Sequence, residues 1–259
     1  MLYRVTGKRI KESYILCVDE NLPASALVGV KDVFKCYNHS EMVVCEMVID
    51  EKRAVETTHA SSVLVSQLIG TDEAAMVDST LWADMGISLK QLERFKPSAI
   101  GWIWEKDIVM GLYNENNEDE YEGMDSYFQK VAALEGKEVI GIEEYDGTNG
   151  WFDGNLNSQA REMVRKMRQG SDEVERRYWQ ADSLYRAGDA DGLAAMQMEE
   201  MTEAEKVEKI DMRMERWAER LVEMMKEKRC FVILSVKYVK SEGGVIEMMG
   251  KKRLNIKAI

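Results

Sequence analysis

Histidine is scarce in this chain: two residues in 259, His39 and His59. They stand 20 positions apart in stretches with helical patterning, neither at the end of a strand. Ordinary surface or core histidines are the default there. Ser/His/Asp catalysis would need one of them brought to a serine, and nothing in the pattern favours that. A His-Glu-x-x-His pair, a phosphate-binding P-loop and a Gly-x-Ser-x-Gly elbow are all missing. No run approaches the roughly 20 apolar residues that a membrane span needs. Cysteine is limited to Cys17, Cys36, Cys45 and Cys230, without the C-x-x-C spacing of zinc or redox motifs. Three of the four lie in apolar strand-like runs, where a buried thiol behaves as a small hydrophobe. Whether any pair forms a disulfide is left open. Positive charge is also short, with 35 Lys and Arg against 47 Asp and Glu, a net of −12. So acidic a surface repels phosphate backbones and anionic lipid, which argues against nucleic-acid and membrane-surface partners.

At 45% apolar and 32% charged, the chain can bury a sizeable core. Its length suits one large domain or two small ones. It opens Met1-Leu-Tyr-Arg-Val-Thr-Gly7, a strand and turn with no charged and apolar leader before it. The expectation is a cytoplasmic protein, or a secreted one whose leader has been removed.

Short apolar runs rich in β-branched residues predict strands at Leu2–Thr6, Tyr14–Val18, Met42–Ile49, Glu138–Ile142, Cys230–Tyr238 and Arg253–Lys257. Helical stretches fill the intervals. Ala24–Tyr37 follows Pro23, a good helix opener. Arg53–Leu68, Glu73–Met85, Ser88–Phe95, Ser98–Met110 and Met124–Leu134 come next. Two long helices are expected over roughly 158–187 and 202–228, with 188–198 between them and Gly192 breaking the run. Thr202-Glu-Ala-Glu205 has the side-chain types of a helix start. Strands early, helices in the middle and strands late predict an α/β or α+β fold. A mixed central sheet would be formed by N- and C-terminal strands, in a single domain 1–259 with a helical insert over about 158–228. Residues 114–122 read as an acidic loop and 146–154 as a glycine-rich one. The methionines of the late helices, such as Met196, Met214 and Met225, read as adaptable core packing, with a partner groove as the minority reading.

Several segments in order carry a likeness. They are Leu2–Gly7 with Ser13-Tyr14, Val43-Val-Cys-Glu46, Phe95-Lys-Pro-Ser-Ala-Ile-Gly-Trp102, and Gly123-Met-Asp125-Ser-Tyr127 followed by Gly136–Glu143. Gly188-Asp189 and Arg213-Met-Glu-Arg-Trp217-Ala follow. Together they resemble the TraB/GumN family, which includes the TraB pheromone-shutdown proteins and the Tiki-type metalloproteases. The resemblance covers nearly the whole chain. It implies a metal-dependent hydrolase scaffold in which two Gly-x-x-His motifs, at an early and a late strand, bind a divalent metal. Here Cys17 and Ser235 fall where the family has glycine, and Glu20 and Tyr238 where it has histidine. The family's Arg-Asn pair stands as Arg213-Met214.

A catalytic divalent metal wants imidazole or carboxylate ligands and an open position for water. Glu20 could replace one histidine as a harder ligand, suiting Mg²⁺, Mn²⁺ or Ca²⁺, whereas a Tyr238 phenol is a poor donor until ionised. Lys237 adds a positive charge beside it, on the opposite strand face if the strand continues. Glu46 and Glu143 are acids in apolar strand contexts and need partners. Arg213 is the natural one, through bidentate pairing. Candidate cleft residues are therefore Glu20, Tyr238, Lys237 and Tyr14, and candidate chemical groups are Glu46, Glu143 and Arg213.

The leading expectation is a non-catalytic relative that binds a protein or peptide in the former cleft, without a cofactor. The runner-up is a hydrolase with a carboxylate site of Glu20, Glu46 and Glu143, using Mn²⁺ or Mg²⁺ or a raised-pKa carboxylate base. A third reading makes the acidic helical region 158–228 an interaction module. Oligomeric state is left open.

Overall fold

The computed structural model describes residues 1–48, 63–144, 152, 154–199, 201, 206, 210 and 213–259. The chain divides into two compact units. One comprises Met1–Val48, Glu122–Glu144 and Gln180–Ile259, and the other Ile49–Tyr121 and Tyr145–Trp179.

The first unit is built on a six-stranded mixed sheet. Its strands are β1 (Leu2–Thr6), β2 (Ser13–Val18), β3 (Met42–Cys45), β4 (Glu138–Gly141), β5 (Cys230–Ser235) and β6 (Asn255–Ala258), in the order β4-β3-β5-β2-β1-β6. β2, β5, β3 and β4 run parallel, while β1 is antiparallel to both β2 and β6. Every residue of β2, β3 and β5 is buried. Unbroken runs such as Tyr14-Ile-Leu-Cys-Val18 and Cys230-Phe-Val-Ile-Leu234 suit central parallel strands covered on both faces. The edge strands β4 and β6 are more polar, and β6 carries Lys257, a common way to blunt a free edge.

Helices of this unit are α1 (Val33–His39), α5 (Met124–Leu134), α8 (Ala190–Glu199), α9 (Met214–Glu227), α10 (Val236–Lys240) and α11 (Val245–Lys251). Tyr37 of α1, Phe128 of α5 and Phe231 of β5 form a ring triangle, with centroids 5.0–5.6 Å apart. The buried residues of α9, Met214, Trp217, Ala218, Leu221 and Met225, recur at one-face spacing and set its amphipathic stripe.

The second unit contains α2 (Thr71–Met85), α3 (Leu89–Leu92), α4 (Pro97–Asn116) and α6 (Leu156–Gln169); α7 (Ser171–Ala187) begins in it and ends in the first. Its core joins Val65, Val77, Leu81, Ile100, Trp104, Met163 and Met167 among others. Trp104 is wholly buried, and its indole N–H donates to Asp84 Oδ2 at 2.7 Å. Pro97 takes the first position of α4, where its missing N–H costs nothing.

Several sequence expectations need correction. The late strand stops at Ser235, and Lys237 and Tyr238 lie on α10 rather than on opposite faces of a strand. The segment 24–37 is a 3-10 turn, Ala24–Gly29, and then α1, separated by Asp32 in the left-handed region (φ 58°). The helix expected over 158–187 is two, broken at Gly170 with φ 86°. Gly192 does not break the chain but sits inside α8, where its N–H caps onto Asp189 Oδ1 at 2.9 Å. A Cβ there would lie 2.5 Å from Asp189 Oδ2, so the cap needs glycine. The four cysteines are buried free thiols. Of the late methionines, Met196, Met214 and Met225 are buried, and Met198 and Met224 part-buried. His59, the Thr202–Glu205 start, residues 53–62 of the expected helix 53–68, and most of loop 146–154 lie outside the described residues. No helix among the described residues is long and apolar enough to cross a membrane.

Candidate functional site

Parallel pairing puts the carboxyl ends of β2, β5, β3 and β4 along one edge of the sheet, where open α/β sheets bind ligands. Asp19 and Glu20 follow β2, Glu46 follows β3, Glu143 follows β4, and Ser235 leads from β5 into α10. Gly141 allows the β3 and β4 extensions to close up. A Cβ on it would lie 2.6 Å from the Glu143 carbonyl oxygen and 3.2 Å from the Met47 Cα. The Glu143 N–H then donates to the Glu46 carbonyl at 3.0 Å, fixing these two acids side by side along the backbone.

Side chains, not ladder partners, receive the backbone where β5 becomes α10. Glu46 Oε1 accepts the Ser235 N–H at 2.8 Å. Gln197, from α8, accepts the Lys237 N–H at 3.1 Å and the Ser235 hydroxyl at 3.2 Å on the same oxygen. Its amide nitrogen donates to Asp19 Oδ2 at 2.5 Å, and Asp19 Oδ1 accepts the Asn21 N–H at 2.8 Å. Glutamine therefore ties the end of β2 to the end of β5. This capture of N–H groups turns the chain into a helix at Ser235.

Burial dominates the electrostatics. It pushes the Asp19 carboxyl up to about 6 and that of Asp125, on α5, up to about 6. Both Asp125 oxygens accept from Gln129 Nε2 at 3.1 Å. Burial likewise pushes Glu46 up to about 7. The Ser235 N–H and the Lys237 ammonium oppose the rise, and Asp125 and Glu20 add to it. Lys237 Nζ lies 3.3 Å from Glu20 Oε1. Burial would lower the Lys237 ammonium, but Glu20, Tyr238 and Glu46 together raise it, so it stays charged. Burial pushes the Tyr238 phenol up to about 12. Its ring centroid stands 5.4 Å from Lys237 Nζ and 5.2 Å from the Trp217 ring.

Glu143 is differently placed. Arg213 grips it bidentately, through Nε at 3.0 Å and through Nη2, and the Trp217 indole N–H donates to it at 2.7 Å. Burial would raise this carboxyl, but the Arg213 and Trp217 hydrogen bonds outweigh it and hold it below the ordinary range. Arg213 also lies over the Trp217 ring, 5.1 Å from its centroid.

Glu20, Glu46, Lys237 and Tyr238 thus come together at one sheet edge, with the Glu143–Arg213 pair nearby. Tyr14 does not join them. It stands at the amino end of β2, its hydroxyl donating to Glu12 at 2.6 Å and its ring edge-on to His39 at 6.2 Å. Four residues of extended chain, about 13 Å at strand rise, separate it from Val18. Sequence reasoning missed Gln197 and Asp19. Asp19 had a signal, a carboxylate directly after an apolar run; Gln197, one polar residue on a mixed helix, had none.

Among the described residues, the side chains at this edge do not fit a resident divalent metal. Glu20 is engaged by Lys237, the Tyr238 phenol is neutral at physiological pH, and Glu143 is held by Arg213. Among the described residues no three His, Cys, Asp or Glu side chains converge as a ligand set.

No match was found among curated proteins, and none among solved structures. The family model described as the TraB/PrgY/gumN family matches residues 2–258, nearly the whole chain. On that match, this chain belongs to the TraB/PrgY/gumN family.

Proposed function

We propose that this protein is a non-catalytic member of its family, one domain that binds a protein or peptide at the carboxyl ends of β2, β3 and β5. The observation that carries this reading is the Lys237 ammonium, 3.3 Å from Glu20 and within electrostatic reach of Glu46 and Tyr238. The resemblance implies a divalent cation at this edge, held by histidines at the positions of Glu20 and Tyr238. Here a side chain of the protein supplies the positive charge, and a neutral phenol stands where a ligand nitrogen would be needed. A hydrolytic metal must also leave a position for water, which an ammonium cannot activate.

The test is turnover. Purified protein is incubated with a mixed peptide library and Mn²⁺, Co²⁺ or Zn²⁺, and cleavage is followed by mass spectrometry. No metal-dependent cleavage is expected; metal-dependent cleavage by the wild-type protein would contradict the reading.

One observation favours a second reading. Glu46, with its carboxyl near 7, has the protonation behaviour of a general base at neutral pH. Glu143 is a poor companion for it, since its charge is already spent on Arg213. Any hydrolysis that survives in both Glu46→Gln and Glu143→Gln would remove this carboxylate mechanism. The helical-module reading is weakened by the burial of Met196, Met214 and Met225.

A further inference from the structure

We propose that the open side of β6 docks an extended acidic segment of a partner protein as a further strand, held by the cations of β1 and β6. This is a second surface and does not depend on the reading above. β6 ends the sheet order, so its far side has no strand partner among the described residues. The Ile259 N–H donates to the Leu2 carbonyl at 3.0 Å, which sets the alternation of the antiparallel ladder. Asn255 and Lys257 turn their backbone N–H and C=O groups to β1. Ile256 and Ala258 turn theirs to the open side, where an added strand would meet them.

Charge selects what can enter. The chain carries 47 acidic residues, yet segments 1–11 and 250–259 hold none. Lys257 stands directly opposite Arg4, on the same face of the sheet. Both are exposed, and neither has an ion-pair partner among the described residues. Like charges so placed repel, and a carboxylate beside them relieves the repulsion. Glu12, the acid nearest Arg4 in sequence, is engaged with the Tyr14 hydroxyl at 2.6 Å. Gly7 extends the patch. A Cβ on it would lie 2.5 Å from Leu254 Cδ2, so the turn after β1 sits against the residue that leads into β6. That turn carries Lys8 and Arg9, and Arg253 precedes Leu254; all three are exposed and without ion pairs among the described residues. By contrast, Lys11, Lys251 and Lys252 are taken up by Glu41, Glu247 and Glu219.

A lysine on an edge blunts pairing with a second copy, whose edge bears the same charges, but not pairing with carboxylates. Outward backbone groups at every second residue suit a peptide rather than a nucleic acid, which the net charge of −12 also opposes. Strand side chains alternate, so the segment that fits has acids at every second position, beside Arg4 and Lys257. Apolar residues stand between them, on the face of Ile256.

The experiment follows the fluorescence anisotropy of dye-labelled Thr-Val-Glu-Val-Glu-Val-Thr titrated with the full chain. The same peptide with Gln or with Lys at both Glu positions is the comparison. The Glu peptide should bind roughly tenfold more tightly than either. Lys257→Gln and Arg4→Gln, both at exposed positions, should each weaken it about threefold. Two N-methylated forms separate strand addition from mere attraction, one methylated on the Val nitrogens and one on the Glu nitrogens. The set that faces β6 should lose binding about tenfold and the other should keep it, because ladder bonds use alternate residues. Equal affinity for the Glu and Gln peptides overturns the proposal, and so do two methylated forms that behave alike. Tighter binding of a single-stranded oligonucleotide would overturn it in favour of a nucleic-acid surface. A dimer in sedimentation that the Glu peptide breaks would overturn it in favour of a second copy on this edge. If none of the peptides binds, the proposal falls.

Discussion

Glu46 offers the most quantitative prediction. Its carboxyl is pushed up to about 7 from an ordinary 4.5, chiefly by burial, and that figure already contains the attraction of Lys237 and the repulsion of Asp125 and Glu20. The folded state therefore holds a proton that the unfolded state has released between those values. Stability from this group is fully present below pH 4.5 and is lost as pH rises toward 7. The gap, at roughly 1.36 kcal/mol per pH unit, amounts to about 3 kcal/mol at pH 8. Glu46→Gln removes the titration but keeps a carbonyl oxygen for the Ser235 N–H. Urea unfolding of both proteins from pH 5 to 8 should thus show little difference at pH 5. The variant should gain progressively, reaching about 2–3 kcal/mol at pH 8. A constant offset across that range, or a variant that loses stability as pH rises, would refute the reasoning.

Three further predictions concern the supports of the site. Arg213→Met leaves the Glu143 charge part-buried and unmatched; with side chains 22% and 16% exposed, solvent screening reduces the cost to about 2 kcal/mol. Adding Glu143→Gln should recover at least half of that in a double-mutant cycle read by urea unfolding, whereas simple additivity would show no coupling. Gly192→Ala should cost about 1 kcal/mol through the lost Asp189 cap, yet become neutral or stabilising in an Asp189→Ala background, where alanine is the better helix former. If the alanine costs the same in both backgrounds, the cap is not the cause. Gln197→Leu withdraws a donor from buried Asp19 and should lower unfolding stability by about 2 kcal/mol, which an unchanged urea midpoint would contradict.

Much of the sheet was legible because its central strands are apolar on both faces, so Tyr14–Val18 and Cys230–Leu234 announce themselves without alternation. The Arg213–Glu143 pairing was legible for a related reason. A carboxylate ending an apolar strand needs a partner, and arginine is the side chain suited to grip it. The turn into α10 was not legible, because Val236-Lys-Tyr-Val239 fits a strand as well as a helix. The choice is made by Glu46 and Gln197, which lie 189 and 38 positions away in sequence from Ser235. Gly170 could have been found, since glycine followed by Ser171-Asp-Glu173 carries the marks of one helix ending and the next beginning. Tyr14 stands at the amino end of β2, away from Glu20 and Glu46; strand membership alone does not say which end of the sheet a side chain occupies.

Equilibrium dialysis with Mn²⁺, Co²⁺ and Zn²⁺ tests the central claim most directly, since it asks whether Lys237 has taken over from a metal. Wild-type protein should retain less than a tenth of an equivalent of each ion after exchange against metal-free buffer. One equivalent retained per chain, with Glu20→Gln releasing it, would mean that a cation can share this edge with the lysine, and the account would fail.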